Sequence, residues 1–364
     1  MYRIAFPMVC FFFLLIPYGM QAGIRSGQLF AGGQYHLMRI WPHHPDMRPH
    51  TGAYGHGLEM VVGVQSRGEN RWERLYNLPS YGVGFFYGEL GNPGVFGQAR
   101  SGFLFLEMVT AEGFPGERRI KYSLGLAHLS EYYNPPHNTG NEFIGTPWNV
   151  HFNLNYSLSV ALGEHIRLRP GLSFSHFSNG AYKKPNRGLN ILDVNLGVNY
   201  HPGTSQWEDP LPGHPDEPAP PRQQWLWIYS HGLMQRAPGD PRYHARTITL
   251  NYTRSSGLKN RWGGGVDIFW DDHAREETAS QTHHMHFYDY MRTGLFVSHD
   301  ILFGRLSVLI NLGTYVYAGH EPDQPLYQRI GLRVALGRHI VANLSLKARF
   351  LRADYAELGL GLAF

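Results

Sequence analysis

Along much of the chain, apolar and polar residues alternate one for one. In 151–160, Phe152, Leu154, Tyr156, Leu158 and Val160 share one parity, and Asn153, Asn155, Ser157 and Ser159 share the other. In 118–128, Ile120, Tyr122, Leu124 and Leu126 alternate with Arg119, Lys121, Ser123 and Gly125. In 340–350, Ala342, Leu344, Leu346, Ala348 and Phe350 alternate with Asn343, Ser345, Lys347 and Arg349. Segments 247–253 and 305–316 follow the same rule, with Leu309 out of step. Period two predicts strands with two unlike faces. A soluble sandwich alternates too, but these stretches often run to about ten residues, the length of a tilted membrane-spanning strand. Lys, Arg and Asn in mid-strand suit a polar lumen. Tyr315, Tyr317, Phe287, Tyr288 and Tyr290 near strand ends suit interfacial girdles.

Turns and loops give the strands a direction. Val160–Ile166 and Val334–Ile340 are similar Gly-containing tight turns between alternating segments, which reads as shared hairpin chemistry. Short turns belong on the periplasmic side and long loops outside. The polar stretches 41–54, 131–146, 271–285 and 318–326 are therefore expected to be external loops. The last segment places Leu358, Leu360, Leu362 and Phe364 on one face, like the C-terminal assembly signal of bacterial outer-membrane proteins. The predicted fold is all-β: a transmembrane antiparallel up-and-down β-barrel of roughly 14–16 strands. Residues 23–200 form one half of it and 224–364 supply the remaining strands of the same domain. Between them, 201–223 carries Pro202, Pro210, Pro212, Pro215, Pro218, Pro220 and Pro221 and is read as a linker between strands.

Composition and charge set the compartment. Gly 43, Tyr 22, Phe 21 and Trp 8, with only 16% charged residues, agree with a sheet protein. A net charge of +4 gives no electrostatic footprint for nucleic acid. Arg3, the apolar run Ile4–Pro17 and the small residues ending at Gln21, Ala22 and Gly23 have the pattern of a secretory signal over residues 1–22. The single cysteine, Cys10, falls within it, so a mature chain has no disulfide and no cysteine-based metal site. The expected location is the outer membrane of a Gram-negative bacterium, after export.

Candidate chemistry concentrates in Leu172–Gly180 and Lys184–Asn190. Leu168, Leu172 and Phe174 define an apolar face, and His176 and Ser178 continue its parity. Both are therefore expected to face lipid at the external end of the strand. A polar group facing hydrocarbon is costly unless it is paired or functional. Residues two apart on a strand face lie about 6–7 Å apart at Cα, so a serine activated by a histidine base is feasible. Amides of Asn179 and Gly180, with the Asn186 side chain, could form an oxyanion hole. On the next strand, Asn190 shares the lipid-facing parity of Leu192, Val194, Leu196 and Val198, whereas Asp193 faces the lumen.

This stretch resembles the active-site motif of the lipid A 3-O-deacylase, or acyloxyacyl hydrolase-like, family. There a His-x-Ser-Asn element precedes a Pro-Asn-x-Gly element, matching His176, Ser178, Asn179, Pro185, Asn186 and Gly188. Tyr81–Gly84 and Pro147–Asn149 extend a weaker similarity over roughly the first 200 residues of the chain. The resemblance implies a barrel that removes an ester-linked acyl chain from the lipid A of lipopolysaccharide in the outer leaflet, without metal or other cofactor. It also implies a Ser–His–Glu triad, but the position of the glutamate holds Asn190. An asparagine can orient an imidazole but cannot stabilise the imidazolium as a carboxylate does. Glu131 and Glu142 are the acids near enough in sequence to substitute. The alternative is a non-enzymatic barrel: a pore, a transporter or an inactive relative.

Other constellations are weaker. His283, His284 and His286 with Asp271, Asp272 and His273 are metal-ligand types, but a flexible external loop is the better explanation, as it is for His43, His44 and His50. Gly263–Gly265 sits in an alternating segment with no following helix and is no phosphate loop.

Overall fold

The computed structural model of the protein describes residues 28–203, 220–281, 284–320, 322, 324–350 and 352–364. The proposed signal segment, most of the proline-rich stretch and His283 lie outside the described residues. Sixteen antiparallel strands fall within the expected number, but they close as two barrels of eight rather than one. Residues 223–364 therefore form a barrel of their own instead of completing the first. Alternation is identical in the two arrangements. What decides is pairing, and strand eight bonds back to strand one.

The first barrel comprises β1 (Gln28–Ile40), β2 (Tyr54–Gln65), β3 (Ser80–Glu89), β4 (Gln98–Ala111), β5 (Glu117–Leu129), β6 (Trp148–Ala161), β7 (Ile166–Ser178) and β8 (Leu189–Tyr200). Neighbours pair in sequence order, and Ala31↔Tyr200 through Ile40↔Ile191 close the ring. The second comprises β9 (Gln223–Met234), β10 (Tyr243–Ser256), β11 (Asn260–Asp271), β12 (Arg292–Phe303), β13 (Leu306–Ala318), β14 (Leu326–Ala335), β15 (Ile340–Arg349) and β16 (Arg352–Ala363). It closes through Glu357↔Gly232 to Ala363↔Leu226. By compactness, residues 28–179 and 185–203 make one unit, and 180–184 with the described residues from 220 onward make the other.

The expected faces appear in both barrels. On the first, Leu172, Leu192, Val194, Leu196 and Val198 are exposed on the outer wall. Asn153, Asn155, Ser157, Ser173, Ser175 and Asp193 are buried inside. Lumen charges are paired: Glu107 accepts from Arg119 at 3.0 Å and from Arg169 at 3.0 Å, and Lys121 pairs with Glu59. Asp193 faces the lumen as expected, where it meets His36 at 2.9 Å and also Ser173. In the second barrel, Arg329 bridges Asp267 at 2.7 Å and Glu357 at 2.6 Å, and Arg333 meets Asp300 at 2.7 Å. Eight strands enclose an interior just wide enough for side chains, and these networks occupy it. A plugged lumen argues against the pore reading.

One end of the first barrel carries the loops 41–53, 90–97, 130–147 and 179–188; the other carries 66–79, 112–116 and 162–165. The first set includes two of the loops expected outside. At the opposite end, 66–79 is longer than a tight turn. It holds a short helix, α1 (Arg71–Leu75), whose buried Glu73 accepts from the Asn70 amide at 3.0 Å and from Tyr81 at 3.0 Å. In the second unit, α2 (Asp272–Gln281) follows β11.

Removing one partner of a buried ion pair leaves the other charge uncompensated, at about 3–5 kcal/mol. Arg329→Met is therefore expected to destabilise the second barrel by that amount. Urea unfolding followed through the loss of the heat-modifiable folded band checks this. An unchanged midpoint would show that the Arg329 network is not supporting the barrel.

Candidate active site

β7 and β8 are adjacent antiparallel strands whose shared external end carries the loop 179–188. Pairing sets Phe152 and Asn190 on either side of His176, and Val150 opposite Ser178. The lumen-facing neighbours Ser175 and Phe177 are buried, so His176 and Ser178 project from the outer wall. His151 stacks on Phe177 from inside, with centroids 4.3 Å apart and planes at 10°, which pins the strand end.

The His176 Nδ1–H donates to Asn190 Oδ1 at 2.6 Å. Asn190 thus fixes one nitrogen of the ring, and Nε2 is left as the other. No hydrogen bond joins His176 to Ser178 in this structure; the two share the outward face with Phe177 between them. Catalytic hydrogen bonds without substrate are often long or poorly aligned.

The oxyanion expectation needs one correction. The Asn179 amide donates to Asn186 Oδ1 at 3.1 Å, so it is already engaged. The bond holds the Asn186 side chain by its oxygen and leaves Nδ2 as its donor end. The Asn179 side chain is held elsewhere, donating to Thr146 Oγ1 at 3.2 Å. Gly180 adopts φ +62° at the turn.

Gly188 acquires a physical role that the motif alone does not explain. Its φ is +79°, and a Cβ built there would lie 2.6 Å from His176 Cε1. Only a residue without a side chain lets the loop close over the imidazole at this backbone angle. Its amide donates to Phe143 O at 3.1 Å, tying this loop to 130–147.

Neither substitute acid reaches His176. Glu142 pairs with Arg187 at 3.2 Å, and Glu131 accepts from Asn138 Nδ2 at 3.3 Å. Arg187 also meets Asp46 at 2.6 Å and His44 Nδ1 at 2.9 Å. The Arg187 hydrogen bond holds the Asp46 carboxyl below its ordinary range, so the tie between the loops stays ionised at neutral pH. His43 lies against Asn190, its Nδ1 accepting from Asn190 Nδ2 at 3.1 Å. Arg187 and Thr146 carry no sequence signal, and His43 stands out only as one of several loop histidines: each sits in an irregular loop, where periodicity says nothing about neighbours.

Three members of the histidine-rich cluster of the second unit are otherwise engaged. Asp272 pairs with Arg246 at 2.9 Å, Asp271 accepts from the Ala274 amide at 2.8 Å, and His273 lies 3.6 Å from Glu277. Among the described residues, no group of three or more His, Cys, Asp or Glu is arranged to hold a metal ion.

Residues 57–199 match the family model of lipid A 3-O-deacylase (PagL), spanning β2 to β8 and every site residue on β7, β8 and their loop. Residues 223–364, the whole second barrel, match the model of the acyloxyacyl hydrolase C-terminal domain. The chain belongs to the lipid A 3-O-deacylase family. That family acts on lipid A in the outer membrane. Among solved structures, Neisserial surface protein A is 11% identical, with a TM-score of 0.33, over 47% of this chain and 96% of that one. Outer membrane protein Omp33 of Acinetobacter baumannii is 8% identical, with a TM-score of 0.18, over 93% of this chain and 97% of that one. No curated protein matches the chain.

Gly188→Ala is expected to displace the His176 ring and lower deacylation by about 10²-fold, the scale of an ångström-size misplacement. The barrel should still migrate as a folded species on gels. Lipid A mass spectra from cells making each protein check this; wild-type conversion by the variant would remove the packing role assigned to Gly188.

Proposed function

We propose that the protein removes an ester-linked acyl chain from lipid A by serine acyl transfer, with Ser178 as nucleophile and His176 as general base. The observation that carries this reading is the pair of polar side chains on the lipid-facing wall, with Asn190 fixed on the His176 ring. In the first step His176 Nε2 takes the Ser178 proton as Oγ attacks the ester carbonyl. The carbonyl oxygen becomes an oxyanion, for which Asn186 Nδ2 and the Gly180 amide are the candidate donors. His176 then gives its proton to the departing sugar hydroxyl, leaving an acyl-serine. Water, deprotonated by His176, releases the fatty acid and restores Ser178.

A site on the outer wall suits this substrate physically. The acyl chains of lipid A lie in hydrocarbon beside Leu172, Leu192 and Val194, all exposed on that wall. The ester sits near the headgroup boundary, at the end of the strands. The substrate therefore reaches Ser178 by lateral diffusion, without extraction from the leaflet.

Asn190 sets the rate. A neutral amide orients His176 but does not stabilise the imidazolium that forms as Ser178 loses its proton, and an altered acid costs a serine triad up to about 10⁴ in turnover. Asn190→Glu is expected to raise turnover at least about tenfold on the same grounds. Ser178→Ala is expected to abolish conversion while leaving outer-membrane insertion intact. Mass spectrometry of lipid A from cells expressing the three proteins tests both. Loss of one hydroxyacyl chain with wild type, more with Asn190→Glu and none with Ser178→Ala supports the mechanism. Unchanged lipid A with all three, each present in the outer membrane, would falsify the esterase reading and leave an inactive relative.

A further inference from the structure

The hydrogen bonds around Asn190 form a chain whose polarity is fixed at one end. His43 Nε2 lies 3.2 Å from the carbonyl oxygen of Arg187. A carbonyl only accepts, so Nε2 must carry a proton. In neutral His43 the other nitrogen, Nδ1, is then a bare lone pair. It accepts from Asn190 Nδ2 at 3.1 Å, which turns the Asn190 oxygen the other way, toward His176. That oxygen accepts from His176 Nδ1 at 2.6 Å. His176 Nδ1 must therefore carry its proton, and Nε2 keeps the lone pair that a general base requires.

We propose that His43 is a positioning residue: through the Arg187 carbonyl it fixes the amide orientation of Asn190, and through that the tautomer of His176. The inference rests on the serine–histidine reading above and deepens it. It also addresses a difficulty peculiar to this chain. A glutamate presents two equivalent oxygens, so either can accept from the imidazole and no orientation needs selecting. An asparagine presents one oxygen and one NH₂. Turned the wrong way, it donates to His176 Nδ1 and forces the proton onto Nε2, which disables the base. A chain with Asn190 therefore needs a second group to break the degeneracy of the amide. His43 is placed to do so, on a loop anchored by the Arg187–Asp46 pair at 2.6 Å. It makes no hydrogen bond to His176 or Ser178, so its hydrogen-bonded path to the ring runs through Asn190.

The test combines a double-mutant cycle with a spectroscopic readout on the full-length protein in lipid nanodiscs. His43→Phe keeps a flat ring but removes both hydrogen bonds. It is expected to lower kcat about three- to tenfold, part of the much larger cost of a fully wrong tautomer, with little change in KM. His43→Gln, whose amide can donate to Arg187 O and accept from Asn190, should recover most of the loss. In an Asn190→Glu background, His43→Phe should change kcat less than about twofold, because a carboxylate has no orientation to select. Independently of turnover, ¹⁵N spectra of the His176 ring should show a single Nδ1–H tautomer in wild type and a mixture in His43→Phe. Equal losses in both backgrounds, or an unchanged His176 spectrum in His43→Phe, would overturn the proposal while leaving the esterase reading intact. If no variant converts lipid A, that reading fails, and the ¹⁵N spectra alone decide whether His43 sets the tautomer.

Discussion

Within hydrocarbon a backbone N–H or C=O without a partner costs several kcal/mol, so a sheet that spans a membrane must close on itself. Here closure happens twice, through β1–β8 and β9–β16. Much else follows from closing at eight strands. The interior is only as wide as its own side chains, so the polar parity of every strand is consumed in packing. Glu107 with Arg119 and Arg169, and Arg329 with Asp267 and Glu357, are the consequence: charges held off the membrane, paired with one another. Among the described residues, both lumens are filled largely by such side chains.

On the outer wall, position and polarity are in tension. A hydrocarbon-facing histidine is tolerated only where strands end and partners can be brought over from loops. The β7–β8 hairpin meets this requirement with a narrow set of devices. Asn190 holds the ring from the neighbouring strand. Gly188 lets the return loop lie against it, and Asn186 is clamped by the Asn179 amide. Arg187 ties this loop to 41–53 and 130–147 through Asp46 and Glu142. Strand ends thus set His176 and Ser178, and ion-paired loops set the groups around them. The group that holds the His176 ring is a neutral amide, that of Asn190.

Much of this was legible in the chain. A two-residue period assigns a face to every strand residue, whatever the strand pairs with. It therefore placed His176, Ser178 and Asn190 on the lipid side and Asp193 in the lumen. The turn chemistry around Gly163 and Gly337 gave the hairpins, and the strand number came out in the expected range. The His-x-Ser-Asn and Pro-Asn-x-Gly elements named the family because they are contiguous in one hairpin.

Periodicity is local, and that is where its reach ends. Alternation is the same whether β8 finds β9 or returns to β1, so one barrel or two is a matter of long-range pairing that no segment encodes alone. Loop residues have no period. The approach of His43 to Asn190, and the diversion of Glu142 to Arg187, depend on three loops meeting in space. The use of the Asn179 amide by Asn186 depends on how one turn folds back on itself. The sequence by itself determined which strand residues face lipid and which face the lumen, because side-chain direction in a strand is set by parity. The tertiary structure decided where the sheet closes and which way the hydrogen bonds around His176 run, because both depend on partners distant in the chain.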